Sequence, residues 1–171
     1  MYSLVLLAHS WLRWAVLLLA IALLARTAVG WLRSRPWARA DDRLQVALVG
    51  VLDLELLLGL LLYVGLSPLT RSFLADPAVA MRAPVLRFFG VEHVVGMVLA
   101  VAVAHAGRVV SRRAATPAHR QRGACLAALV VLLLAVAAIP WPALSYGRPL
   151  FRTADLSRGT RLADASGYII R

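Results

Sequence analysis

The sequence predicts an all-α integral membrane protein: an antiparallel bundle of four helices followed by an extended polar C-terminal tail. Of its 171 residues, 61% are hydrophobic and 16% are charged, against roughly 45 to 50% and about 25% in soluble domains. At about 150 residues per domain, the length predicts a single domain. The apolar residues are gathered into four runs of about 20, the length that crosses a bilayer. This pattern excludes an ordinary water-soluble globule.

The four predicted spans cover residues 3–25, 44–66, 85–106 and 124–141, within a membrane domain of residues 1–142. Prolines separate the runs: Pro36, Pro68, Pro84 and Pro117 lie between them, and Pro140 closes the fourth. Because the connections are short, consecutive helices are expected to run antiparallel.

Two further features of the chain limit its class. The first run has no basic segment before it and continues past Arg13, so we expect a membrane span and not a cleaved signal peptide. Cys125 is the single cysteine. An intrachain disulfide, a CxxC zinc site and covalent haem attachment through CxxCH are therefore excluded.

The net charge is +11, and all 19 basic residues are arginine. Such a balance also occurs in nucleic-acid-binding proteins, but here the arginines stand at the ends of apolar runs. We therefore expect a lipid bilayer, and not nucleic acid, as the partner. The positive-inside rule predicts both termini on the periplasmic side of a bacterial inner membrane. The first connection holds Arg26, Arg33, Arg35, Arg39 and Arg43, the third Arg108, Arg112, Arg113, Arg120 and Arg122, and the second only Arg71 and Arg82.

The tail, residues 143–171, is polar and basic and holds no run long enough to span. One interpretation is a flexible chain end. The other is an extended arm along a neighbouring subunit, anchored by Tyr168, Ile169 and Ile170. Both remain open at this stage.

Two histidines within the spans are the strongest functional signal. A helix rises about 1.5 Å per residue, which places His9 about 9 Å and His93 about 12 Å from the outer end of their spans. Two imidazoles at similar depth on different helices can hold a b-type haem by its two axial positions. Near His93, Gly96 leaves room for a porphyrin plane and Phe89 is placed to stack on its edge. Small residues on such a face also allow close helix packing without any cofactor.

Other charged residues in the spans need partners, because an unpaired charge is costly in a bilayer. Arg13 shares the helix face of His9 at an estimated depth of about 15 Å, close to Glu55 at about 17 Å. We therefore predict an Arg13–Glu55 ion pair, with an Arg13 contact to a haem propionate as the alternative. Asp53 lies about 200° around the helix from Glu55. Asp53 is thus predicted to face a second crevice or a partner protein.

The third span adds two more candidates. Glu92 is predicted to bind Arg87 or to accept an imidazole N–H from another helix. His105 lies about 120° around the helix from His93 and is the weakest ligand candidate. His9, Glu92 and His93 together would form a metal or proton site with mixed oxygen and nitrogen ligands.

Five stretches resemble a family of small four-helix bacterial membrane proteins known as cytochrome b-like. They are HSWLRW (9–14), LELLLGLLLYVGLSP (54–68), LRFFGVEHVVGM (86–97), HAGR (105–108) and IPWP (139–142). The resemblance covers nearly all of the membrane domain. It implies b-type haem and marks His9 and His93 as family histidines, with Arg13 and Glu92 beside them.

The chain departs from the expected family pattern at Asp53, where a histidine would precede the LLLGLLLY run. If that position supplies an axial ligand, haem cannot bind here in the family's way. If the ligands are His9 and His93, the predicted haem site is retained.

Two functions are consistent with these features: a haem-b protein that passes single electrons, or a non-catalytic accessory subunit of a larger membrane complex. The chain contains no GxSxG, HExxH or phosphate-binding glycine loop, so we expect an electron carrier or accessory subunit rather than an enzyme.

Overall fold

A computed structural model describes residues 1–152, and within that range the regular structure is entirely helical. These residues form seven α-helices and two π-helical segments. The segment Leu62–Leu66 continues the second α-helix, and Phe88–Glu92 precedes the sixth. The α-helices are α1 (Tyr2–Leu32), α2 (Arg39–Leu61), α3 (Pro68–Ala75), α4 (Pro77–Ala80), α5 (Pro84–Arg87), α6 (His93–Arg113) and α7 (Pro117–Ala138).

Four helical runs are long and apolar enough to cross a membrane: Tyr2–Leu32, Arg39–Leu66, Pro84–Arg113 and Pro117–Ala138. The predicted number and order of long apolar helices are therefore confirmed. All four helical runs extend beyond at least one end of the predicted segments. Hydropathy detects only the apolar centre of a helix, whereas arginine, which flanks these centres, also has a high helix propensity.

The four long helices pack in a ring, because α1 contacts α2 and α7, while α6 contacts the same two helices. The core between them combines aliphatic side chains such as Val16, Leu52 and Val131 with the small residues Ala20 and Ala128. Small residues let helix backbones approach closely. The outward faces remain apolar, as expected for surfaces that contact lipid; examples are Leu18, Val64 and Leu133, at 67%, 76% and 60% exposure.

Asp41 organises one end of the ring, which we call the arginine-rich end. Its carboxylate is fully buried and accepts hydrogen bonds from Arg26 Nε at 2.6 Å, Arg35 Nη2 at 2.8 Å and the Ala38 backbone N–H at 2.7 Å. These bonds fix the connection between α1 and α2 and supply an acceptor for an otherwise unpaired N–H at the start of α2.

The neighbouring residue joins the other helices at the same end. Asp42 lies 3.4 Å from Arg108 of α6 and 3.7 Å from Arg120 of α7. Nearby, Gln45 of α2 donates a hydrogen bond to Ser111 of α6 at 3.2 Å. Some of the arginines that determine the predicted topology are thus also structural partners of acidic residues.

Two glycines lie at close approaches between long helices. A Cβ on Gly107 of α6 would overlap Ala127 of α7, and one on Gly30 of α1 would lie 2.5 Å from the buried amide carbon of Gln121. A side chain at Gly107 would meet the fixed Cβ of Ala127, and one at Gly30 would meet the buried side chain of Gln121.

The two π-helical segments lie at the opposite end, which we call the cavity end. A π turn leaves a backbone carbonyl without its usual helical partner. Here side-chain hydroxyls bond such carbonyls: Tyr63 donates to the Gly90 carbonyl at 2.9 Å, and Thr70 donates to the Tyr63 carbonyl at 2.8 Å. This chain of bonds links α2, α3 and the helical run of α6.

The connection between the second and third spans is itself helical. Ser67 caps α3 and Asp76 caps α4, each accepting a bond from the backbone N–H three residues later, and each is followed by a proline. Thr70 and Phe73 of α3 are buried against the cavity end. From its sequence, this stretch was predicted only as a connection between two spans.

Candidate functional site

The cavity end contains a cavity of about 510 Å³. It is lined by residues of α1, α2, α3, α6 and α7 and by the segment that follows α7, and it includes His9, Arg13, Glu55, Phe89 and His93. Sites for small molecules and cofactors typically enclose about 300 to 1,000 Å³. This cavity is therefore large enough for a sizeable organic ligand.

The two predicted histidines meet inside this cavity. The ring centroids of His9 and His93 are 6.0 Å apart, with an angle of 80° between the ring planes. His9 comes from α1, and His93 is the first residue of α6, directly after the π-helical segment. The two imidazoles therefore meet in the interior of the bundle, as predicted.

His93 is held by the end of α7. Its Nδ1 lies 2.8 Å from the carbonyl oxygen of Ala138. Ala138 is the last residue of α7, where carbonyls lack helical partners. Because a carbonyl only accepts, Nδ1 carries the hydrogen and donates it. The Nε2 atom of His93 is then the unprotonated nitrogen, with a lone pair available to a ligand.

His9 packs against α2. Its Nδ1 lies 3.3 Å from Oε2 of Glu55, whose side chain is 4% exposed. The contact lacks the alignment of a hydrogen bond, so both buried atoms have no hydrogen-bond partner in the described residues. Gly59, one turn after Glu55, makes room for the ring, because a Cβ there would lie 3.3 Å from His9 Cε1.

The predicted Arg13–Glu55 ion pair is wrong. The basic group nearest Glu55 is His9, and Arg13 instead donates a hydrogen bond to the Leu150 carbonyl at 2.6 Å. The long arginine side chain extends away from its backbone position, so matching backbone depths did not fix its partner.

The beginning of the tail packs across this end of the molecule. Phe151 stacks on Trp14 with centroids 5.1 Å apart, and Tyr146 stacks on Phe88 at 3.9 Å. Trp11 donates a hydrogen bond to the Arg152 carbonyl at 3.0 Å. Residues 143–152 therefore lie on the chain's own helices, while the predicted anchor at residues 168–170 lies outside the described residues.

Asp53 and Glu55 serve different environments, as predicted from their spacing. Asp53 contacts Nε2 of His105 at 2.9 Å, and their side chains are 42% and 53% exposed. The pair bridges α2 and α6 on the outer surface, whereas Glu55 faces the cavity. His105 does not line the cavity that contains His9 and His93.

Three other predicted site residues have different outcomes. Phe89 lines the cavity, with its ring centroid 6.2 Å from that of His93. Gly96 is a correction: it does not line the cavity but faces Ala138, so its small size serves the packing of α6 on α7. Glu92 binds Arg87 at 2.6 Å, as one of its two predicted roles requires, and its side chain is 43% exposed.

The mixed metal site predicted from His9, Glu92 and His93 is also wrong. Across residues 1–152, no group of three histidine, cysteine, aspartate or glutamate side chains is arranged to hold a metal ion. Glu92 binds Arg87 and does not line the cavity, so only the two imidazoles of the predicted set lie there.

An imidazole pair suits a cofactor that supplies its own equatorial ligands. The structure brings two imidazoles together in one cavity, and histidine nitrogens are ligands that haem iron takes from proteins. The residues present therefore fit b-type haem.

Arg148 and Arg152 also line the cavity, although they belong to the tail and were not predicted as site residues. Their alternation with Phe151 and Tyr146 was the available signal, since aromatic residues can anchor such a segment.

Comparison of the chain with protein-family models, with curated proteins and with solved structures finds no significant match.

Proposed function

We propose that this protein is an integral membrane b-type haem protein that transfers electrons, with His9 and His93 as the axial ligands. The observation that supports this function best is the imidazole pair itself: two rings 6.0 Å apart in a cavity of about 510 Å³. The Ala138 carbonyl accepts the Nδ1 hydrogen of His93, which would leave Nε2 of that ring for a metal ion. The resemblance to the cytochrome b-like family points to the same two residues.

In this proposal the four long helices form an antiparallel bundle in a bacterial inner membrane. Asp41 and Asp42 gather the first and third connections at the arginine-rich end. The positive-inside rule places that end in the cytoplasm. The cavity end, with the N-terminus and residues 143–152, then lies toward the periplasm, and the haem is near the outer leaflet.

The chain's own residues would set the properties of the site. The Ala138 carbonyl would orient His93, and the buried Glu55 carboxylate lies 3.3 Å from Nδ1 of His9. The apolar part of the lining, including Met97 and Ile139, would limit the access of water to a bound haem. A bound haem would supply one-electron exchange between its ferric and ferrous states.

An absorption spectrum tests the proposal. The full chain, purified in detergent and supplied with haemin where needed, should show a Soret band and a sharp α-band after reduction. His9→Ala and His93→Ala should each remove the low-spin spectrum. His119→Ala is the matched control, because His119 is exposed at the start of α7 and bonded to Thr116, far from the cavity. A folded wild-type protein that gives no Soret band with haemin would refute the proposal, since 6.0 Å is also an ordinary edge-to-face spacing.

The exposed Asp53–His105 pair supports a second candidate, an accessory subunit of a larger membrane complex. A polar pair on a lipid-facing surface is costly unless another protein covers it. Purification in a mild detergent tests this function. Wild-type protein should co-purify with other membrane subunits, whereas Asp53→Leu together with His105→Leu should release them without changing the haem spectrum.

A further inference from the structure

The cavity has a second chemical feature besides its histidines: three arginines at its edge. Arg13 comes from α1, and Arg148 and Arg152 come from the segment after α7. All three side chains are partly buried and line the same cavity. The cavity therefore combines a metal-binding pair with a concentration of positive charge.

The three arginines are held in place by specific contacts. Arg13 Nη2 donates to the Leu150 carbonyl at 2.6 Å, while its buried Nε has no hydrogen-bond partner in the described residues. Arg148 lies with its guanidinium carbon 5.5 Å from the centroid of the Phe89 ring. The backbone of Arg152 is fixed by its hydrogen bond from Trp11. The guanidinium groups of Arg13 and Arg148 are thus positioned by contacts, and Arg152 is held through its backbone.

None of these three arginines forms a salt bridge within residues 1–152. No carboxylate there lies within 4.0 Å of any of the three guanidinium groups. Glu55 is the carboxylate in the cavity, and its nearest base is His9. Burial, together with the charge of Arg148, lowers the pKa of Arg152 below its usual value, although the opposing influence of Tyr2 is smaller than that of burial. Neutralising such a cluster with an anion is favourable, because guanidinium–carboxylate bonds are among the strongest hydrogen bonds in proteins.

We propose that Arg13, Arg148 and Arg152 bind the carboxylate groups of the ligand that His9 and His93 hold, so that the cavity selects a dicarboxylate porphyrin over its neutral ester. This inference rests on the proposed haem function. It assigns the residues after α7 to the binding site and makes carboxylate recognition a determinant of ligand choice.

The test compares haemin with haemin dimethyl ester, in which both carboxylates are neutralised and the iron and ring are unchanged. The detergent-purified full chain is titrated with each compound, and the Soret band gives the dissociation constant. His93→Ala gives the background of non-specific binding. We expect wild-type protein to bind haemin at least about tenfold more tightly than the ester, the factor for loss of one charge-assisted contact.

Substitution of the arginines identifies the residues responsible. Arg148→Gln and Arg152→Gln should weaken haemin binding, leave binding of the ester unchanged, and so reduce the preference between the two. Arg82→Gln is the matched control, because Arg82 is exposed in the connection between the second and third long helices and does not line the cavity. It should bind both compounds as the wild type does.

The outcomes separate this inference from the proposed function. If neither compound binds wild-type protein, the haem function fails. If both bind equally well, haem binding stands and the arginine proposal is overturned, even where an arginine variant does not fold. If the arginine variants retain the wild-type preference for haemin but lose co-purifying anionic lipid, the cluster binds lipid phosphate and the carboxylate proposal is also overturned.

Discussion

Replacing Gly107 by alanine should weaken the packing of α6 on α7. An ideal Cβ at this position would approach Ala127 Cβ far inside the 3.0 Å that real Cβ atoms essentially never cross. Ala127 cannot rotate away, because its Cβ is fixed by the backbone. The two helices must therefore separate or shift along each other.

The magnitude follows from two opposing effects. Overpacking a well-packed core costs roughly 1 to 3 kcal/mol, while glycine to alanine within a helix gains about 0.5 to 1 kcal/mol. We expect a net loss of roughly 0.5 to 2 kcal/mol for Gly107→Ala. At about 2 to 4 °C per kcal/mol for a chain of this size, the midpoint of unfolding should fall by about 1 to 8 °C.

Gly50→Ala is the matched control, since Gly50 is exposed in α2 and a Cβ there would meet nothing within 4 Å. It should raise the midpoint by about 1 to 4 °C through helix propensity alone. Thermal unfolding in detergent, followed by fluorescence of the five tryptophans, measures both variants. A midpoint for Gly107→Ala at or above that of the wild type would refute the close-packing argument.

Three further predictions concern other regions. Asp41→Ala should lower stability by roughly 1 to 3 kcal/mol, because it leaves Arg26, Arg35 and the Ala38 N–H without their acceptor; unchanged thermal unfolding would contradict this. Phe151→Ala should speed tryptic cleavage after Arg152, because the stacking on Trp14 is lost. Leu144→Ala, at an exposed position, should leave the cleavage rate unchanged. Equal cleavage rates for the two variants would contradict the anchoring of this segment by Phe151. Gly59→Leu should lower haemin affinity about tenfold by displacing His9. Gly65→Leu should leave the affinity unchanged, because a Cβ there would meet nothing within 4 Å. Equal affinities of the two variants for haemin would show that Gly59 does not contribute to the site.

The number and order of the long helices were predictable because each span carries its own apolar run. The meeting of His9 and His93 was also predictable, since depth follows from the rise per residue and both helices face one bundle interior. The hydrogen-bonding partners of the charged side chains were not predictable. Arg13 and Glu55 differ by only about 2 Å in estimated depth, yet the direction of a long side chain depends on neighbours that no local pattern describes.

The π-helical segment before His93 explains why the residues on the helix face of His93 were not fully predictable. Each π turn adds a residue and changes the rotation of the helix beyond it, so a 3.6-residue period cannot be carried from Phe89 to Gly96. The packing of Tyr146 and Phe151 is also non-local. It joins the end of the described chain to α1 and to Phe88, and sequence separation conceals such contacts.

The stacking of Phe151 on Trp14 has a consequence for biosynthesis. Both histidines have been translated by residue 93, but the Ala138 carbonyl, Arg148 and Arg152 are made some 45 to 60 residues later. A nascent chain that has inserted three helices thus holds an open, incomplete pocket. Loading of a ligand is therefore expected to follow synthesis of residues 138–152, whose arrival closes the pocket against the first helix.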